Sequence, residues 1–150
     1  MGADKVILLV EDTKSDEVLT LRALKKNNIA NEVFVARDGE QALDYLFGTG
    51  TQAGRGPNAL PQVILLDLNL PKLSGLDVLR RIRAGKTTRF LPVVVLTSSR
   101  EDEDIINSYS LGANAYVRKP VDFGQFTEAV KTLGLFWLVL NEQPPHGAAT

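Results

Sequence analysis

The chain predicts an α/β domain, a doubly wound parallel sheet of five strands with the plan (βα)5, filling most of its 150 residues. Three observations predict it. Short runs of Val, Ile and Leu alternate with stretches of helical periodicity, which is the pattern of successive strand–helix units. The runs Val6–Val10, Val63–Leu66 and Val93–Leu96 are apolar without alternation, which suits strands covered on both faces. Each run ends in polar groups: Glu11-Asp12 after the first, Asp67 after the second, Thr97 after the third, and Lys119-Pro120 after a fourth run, Ala115–Arg118. Ligands of open α/β sheets bind beyond the carboxyl ends of the strands. Three acids, a hydroxyl and an amine should therefore meet there.

The elements follow in order. Val6–Val10 is the first strand, and a helix runs from about Lys14 to Asn27. Thr13 with Asp16 three residues on reads as a capping box at its start, and Asn27-Asn28 as its end. Glu32–Ala36 alternates weakly and reads as a second strand at the sheet edge. Asp38-Gly39 turns the chain into a short helix, Glu40–Phe47. The Gly- and Pro-rich stretch Gly48–Pro61 is longer than most compact connections. It leads into the amino end of the next strand, away from the expected site, and lacks the Gly-Lys-Ser/Thr ending of a phosphate loop. It reads as a tolerated insertion.

After the Asp67 strand, Leu70-Pro71 and Ser74-Gly75 shape a turn into a helix ending near Ala84, with Gly85 as the residue beyond its last turn. Pro92 opens the fourth strand. Ser99 to Asp102 reads as a capping box, and the acids Glu101 to Asp104 suit the positive end of a helix that Gly112 closes. The fifth strand, Ala115–Arg118, precedes a last helix from about Asp122 to Leu140. Asn141–Thr150 reads as a disordered tail, so its lone histidine, His146, reads as a tail residue without a catalytic role.

Composition removes several classes of function. The hydrophobic content of 44%, charged content of 23% and formal net charge of −1 are ordinary for a soluble domain and give no footprint for nucleic acid or an anionic membrane. With no cysteine, disulfides, thiol catalysis and zinc–thiolate sites are excluded. No secretory signal opens the chain, and no apolar run reaches the roughly 18 residues of a membrane span. A cytoplasmic location is the expectation.

The strand-end groups carry the chemistry. Glu11, Asp12 and Asp67 crowded together demand a cation, and their hard oxygens favour Mg²⁺ or Mn²⁺. Lys119 can pair with Asp67 or with phosphate oxygens, and Thr97 supplies a hydroxyl donor. A carboxylate nucleophile, a metal and a lysine are what phosphoryl transfer to an aspartate requires. Singly, each residue has an ordinary explanation, since a lone strand-end Asp is most often a turn or cap residue. What argues against the ordinary explanation is that four strands deliver complementary groups at one end.

Glu11-Asp12, Asp67, Thr97 and Lys119-Pro120 at these spacings resemble the receiver domain of two-component response regulators, over about Lys5 to Leu140. The resemblance implies a flavodoxin-like topology with strand order 2-1-3-4-5, and a receiver domain over residues 1–140. It implies Asp67 as phosphoacceptor, and Mg²⁺ held by Glu11 (through water), Asp12, Asp67 and the backbone carbonyl of Asn69. Thr97 and Lys119 would sense the phosphate and Tyr116 would be the switch aromatic. Lys119-Pro120 would be a cis peptide at Pro120, and Asn69 and Ser99 would tune hydrolysis. Because neither Asn69 nor Ser99 is an acid or a base, no fast built-in phosphatase activity is expected. The insertion, Leu66–Lys72, Asn114–Asp122 and Phe136-Trp137 resemble the small regulators paired with bacterial phytochrome-type histidine kinases, which implies such a kinase as donor.

No effector domain is expected after Leu140, so output should run through protein contacts. Phe126, Val130, Leu133, Trp137 and Leu140 form one apolar stripe along the last helix. Leu135, Phe136, Leu138 and Val139 are apolar as well, more than a surface helix needs. That surplus predicts a homodimer, with Phe136, Trp137 and Leu140 as contact candidates.

The rival functions are weaker. A haloacid-dehalogenase-like phosphatase resembles this pattern but needs a second Asp two positions after the first, where Asn69 stands. An FMN carrier would need a phosphate loop where this chain has the acidic Glu11–Asp16. A receiver-like binding module that works without phosphorylation is the remaining alternative, and no residue of the cluster is missing to favour it.

Overall fold

The structure is a computed structural model that describes residues 6–26, 31–50, 60–97, 112–119 and 123–132, without the side chains of residues 97, 123 and 130–132. The elements are β1 (Val6–Val10), α1 (Lys14–Lys26), β2 (Glu32–Ala36), α2 (Gly39–Phe47), β3 (Val63–Asp67), α3 (Gly75–Ala84), β4 (Val93–Thr97), β5 (Ala115–Arg118) and α4 (Phe123–Thr132). The five strands form one sheet in the order β2-β1-β3-β4-β5, every neighbouring pair parallel. The expected topology is thus present, with β2 at an edge.

The two faces of the sheet explain the unbroken apolar runs. On one face Ile7, Leu9, Leu65, Leu96 and Val117 pack against Ala23 and Leu24 of α1 and Phe126 and Ala129 of α4. On the other, Leu8, Val10, Ile64, Leu66 and Val95 pack against Leu43 and Leu46 of α2 and Val78, Leu79 and Ile82 of α3. Since side chains alternate along a strand, only a strand covered on both sides needs apolar residues at every position. Every residue of β1 and β3 is buried accordingly. Each Leu or Ile so buried contributes on the order of 2 kcal/mol. Edge strand β5 alternates instead, with Ala115 and Val117 inward and Tyr116 and Arg118 outward.

Helix ends follow local chemistry, with two departures from expectation. Asp38 caps α2, its side chain accepting from the Gln41 N–H at 2.8 Å, so the helix starts at Gly39, one residue early. Ser74 caps α3 by accepting from the Asp77 N–H at 3.2 Å. The first departure is at α1, where Asp16 makes no capping box with Thr13: its carboxylate is drawn to Lys119. The second is Gly85, which ends α3 in an extended conformation (φ −80°) rather than a left-handed one. Proximity explains glycine there, because a Cβ would stand 2.4 Å from the Thr88 hydroxyl, which donates to the Ile82 carbonyl.

Several expectations fall outside the described residues. They are the Asn27-Asn28 helix end, most of the Gly48–Pro61 insertion, the helix beginning near Ser99, Pro120, the segment carrying Phe136, Trp137 and Leu140, and His146. Among the described residues no helix is long and apolar enough to cross a membrane.

Candidate functional site

Strand register assembles the site. Val10 of β1 lies beside Leu66 of β3, so Glu11 and Asp67, one step further on, emerge side by side at the carboxyl end of the sheet. Asp67 in turn pairs with Leu96, and Thr97 with Arg118, so Thr97 and Lys119 leave their strands at the same end. Glu11 is held by its own N–H, which donates to the Ala36 carbonyl at 2.9 Å. Asp12, the next residue, is exposed at the rim. The backbone of Thr97 stands where expected, and its side chain belongs to the undescribed set.

Asp67 closes β3 almost wholly buried, and its two carboxylate oxygens have different neighbours. Oδ1 accepts from the Asn69 N–H at 3.2 Å, and Oδ2 lies 3.3 Å from Lys119 Nζ. Lys119 is itself buried and also meets Glu11 Oε1 at 3.1 Å and Asp16 Oδ2 at 2.9 Å. The turn after Asp67 is drawn tight: the Gly75 N–H donates to the Leu68 carbonyl at 3.0 Å, and Lys72 adopts a positive φ of 65°. Tyr116 points outward from β5, 40% exposed.

The electrostatics follow from crowding. Burial, then the charge of Asp67 and the hydrogen bond shared with it, push the Glu11 carboxyl up to about 7, and Lys119 only partly offsets them. Burial by itself would lower the Lys119 ammonium. The carboxylates of Asp16, Asp67 and Glu11 outweigh it and hold the group above its ordinary range. Lys119 is therefore a fixed positive charge, while one carboxyl beside it binds a proton easily for want of a second cation.

A divalent ion fits this shortage. Glu11, Asp12 and Asp67 each offer a carboxylate oxygen, all within 4.8 Å of one another. A hard oxygen set, partly open at Asp12, suits Mg²⁺ or Mn²⁺, which prefer oxygen ligands.

The structure thus brings together Glu11, Asp12, Asp67, Asn69 and Lys119, all singled out from sequence. Sequence reasoning missed Asp16. Its spacing from Thr13 reads as a helix cap, and no local pattern marks it as the partner of a lysine 103 residues away.

Comparisons with known proteins identify the family. The family described as the response regulator receiver domain matches residues 7–131. The response regulator Rcp1 of Synechocystis is 42% identical over 135 residues, covering 89% of both chains. A structure of the bacteriophytochrome response regulator AtBRR is 55% identical, covers 89% of this chain and 94% of its own, and superposes with a TM-score of 0.80. The phosphorylated cyanobacterial phytochrome response regulator RcpA is 40% identical, with coverage of 94% and 98% and a TM-score of 0.75.

Proposed function

The chain belongs to the response regulator receiver domain family, and from that premise we propose that Asp67 is the residue on which it accepts a phosphoryl group. One observation carries the proposal: a buried carboxylate at the end of β3, flanked by an ammonium at 3.3 Å and two further carboxylates suited to a metal. The step is a displacement at phosphorus. An Asp67 oxygen forms the O–P bond as the P–N bond of a kinase phosphohistidine breaks, and the electron pair leaves with the imidazole nitrogen.

The chain's own residues position and neutralise. Glu11 (through water), Asp12, Asp67 and the backbone carbonyl of Asn69 would hold Mg²⁺ or Mn²⁺, as the Mn²⁺-bound form known for Rcp1 supports. Bound there, the ion would offset charge on the phosphoryl oxygens. The Asn69 N–H orients one oxygen of Asp67, and Lys119 compensates negative charge on the other side. Thr97, at the end of the neighbouring strand, would donate its hydroxyl to the phosphoryl group, and Tyr116 would follow it inward as the switch aromatic. Asn69 and Ser99, lacking acid or base groups, favour slow hydrolysis. The protein is read as a signalling switch rather than an enzyme with an external substrate.

The likeness to phytochrome response regulators favours a phytochrome-type histidine kinase in the cytoplasm as donor. The apolar surplus around Phe136, Trp137 and Leu140 favours a homodimer through the last helix and its neighbours. Sedimentation of the double variant Phe136→Asp, Trp137→Ala tests the dimer, which an unchanged assembly would remove.

The test of the main proposal is intact mass after incubation with acetyl phosphate, with and without Mg²⁺, for the wild type and Asp67→Asn. One Mg²⁺-dependent phosphoryl adduct, absent from the variant, is the expected result. No adduct in either protein overturns the assignment in favour of a module that works without phosphorylation.

A further inference from the structure

We propose that Asp16 is a positioning residue that aims Lys119 at the phosphoryl group. The inference rests on Asp67 being the acceptor and adds a residue to its machinery. Lys119 reaches the site on a four-carbon stem with many rotamers. An ammonium has three N–H groups; here Nζ donates to Asp16 at 2.9 Å and to Glu11 at 3.1 Å, and stands 3.3 Å from Asp67 as an ion pair. The shortest of the three contacts goes to the residue outside the Glu11, Asp12 and Asp67 cluster.

The geometry divides the labour. Asp67 loses its charge when it becomes an acyl phosphate, and the donor capacity that Asp16 and Glu11 leave over on Nζ is then what turns to a phosphoryl oxygen. The N–H groups on Asp16 and Glu11 have no reason to leave, and together they fix the direction of the third. Glu11 alone, through its two oxygens at 3.1 and 3.4 Å, would hold Nζ from one side only. Asp16 supplies the second anchor from the first turn of α1, a rigid element packed on the sheet through Ala23 and Leu24. It is 29% exposed at its side chain, so the contact with Lys119 is specific and not imposed by enclosure.

The role is that of a hydrogen-bond acceptor at a fixed place, and so the amide of Asn should serve where Ala does not. The probe is beryllofluoride, a phosphoryl mimic, titrated calorimetrically with Mg²⁺ into the wild type, Asp16→Ala and Asp16→Asn. The Lys119 ammonium resonance of the metal-free proteins is read by lysine-selective NMR. Asp16→Ala is expected to weaken beryllofluoride binding about tenfold and to shift the Lys119 resonance. Asp16→Asn should bind at or above the wild-type level.

Equal affinity in Asp16→Ala and the wild type overturns the inference, as does an equal loss in both variants. Absence of binding to the wild type itself would instead overturn Asp67 as acceptor. The Lys119 resonance then still reports whether Asp16 holds the amine, since an unmoved resonance in Asp16→Ala rejects that.

Discussion

Gly75 opens helix α3 pressed against the backbone of Asp67: a Cβ at Gly75 would lie 2.3 Å from the Asp67 carbonyl oxygen and 2.6 Å from Leu68 Cα. Those neighbours are main chain, which cannot rotate aside. The helix that follows the candidate acceptor is thus seated on the acceptor's own backbone. Gly75→Ala is expected to cost about 1–3 kcal/mol by forcing the turn apart, and to slow phosphorylation from acetyl phosphate. Urea denaturation and intact-mass kinetics measure the two effects. An alanine variant as stable and as fast as the wild type would contradict this packing.

Glu11 makes the metal-free protein sensitive to pH. Its carboxyl is raised from 4.5 to about 7, so the folded state binds its proton more tightly than the unfolded state does. The stability this group contributes is full below about pH 4.5 and is lost as pH rises through 7. The loss is on the order of 3 kcal/mol. Because Asp67 is a principal cause of the shift, Asp67→Asn should flatten the profile. Denaturation midpoints between pH 4.5 and 8 without metal provide the check, and a wild-type midpoint that rises across this range would refute it.

Metal binding should show the same proton with opposite sign. A divalent ion needs the Glu11 carboxylate ionised, so its affinity should fall about tenfold per pH unit below 7 and level off above it. Calorimetric titration of Mg²⁺ at several pH values would reveal this slope. A flat response from pH 5 to 8 would show that Glu11 takes no part.

Lys119 would compete with a bound metal for the carboxylates it touches. Replacing it by Met removes a positive charge from beside Glu11, Asp16 and Asp67. Lys119→Met is expected to tighten Mg²⁺ roughly fivefold, while weakening the response to phosphorylation. The comparison belongs at pH 8.5, since Lys119 holds the Glu11 carboxyl down and its loss raises it further. Weaker Mg²⁺ binding in the variant would mean that Lys119 shapes the site more than it opposes the ion.

Far from the site, Arg83 ties three segments together. Its guanidinium donates to the carbonyls of Gly112, Arg89 and Leu91 and to Asn114 Oδ1, which also accepts from the Val93 N–H. Arg83→Lys should therefore cost about 2 kcal/mol, since one ammonium cannot span this fan of acceptors. Thermal denaturation tests it, with phosphorylation chemistry expected to stay at the wild-type level once folded.

The strand runs and their closing residues are legible in the amino-acid sequence alone, because burial on both faces of a parallel sheet leaves an unbroken apolar signature. Asp67 stands out as a carboxylate ending such a run, and Glu11 does so by the same logic. The helix caps at Asp38 and Ser74 are equally local. Asp16 is not legible in this way. Its spacing from Thr13 fits a cap, and only the meeting of α1 with a lysine 103 residues away turns it into the partner of Lys119. Gly85 shows the same limit, since a glycine required by a neighbouring hydroxyl looks in sequence like one required by a left-handed turn. Local patterning states which side of an element must be buried and where it ends. Tertiary structure decided which side chains from distant elements share one small, poorly solvated space, and there a few ångströms set both charge and function.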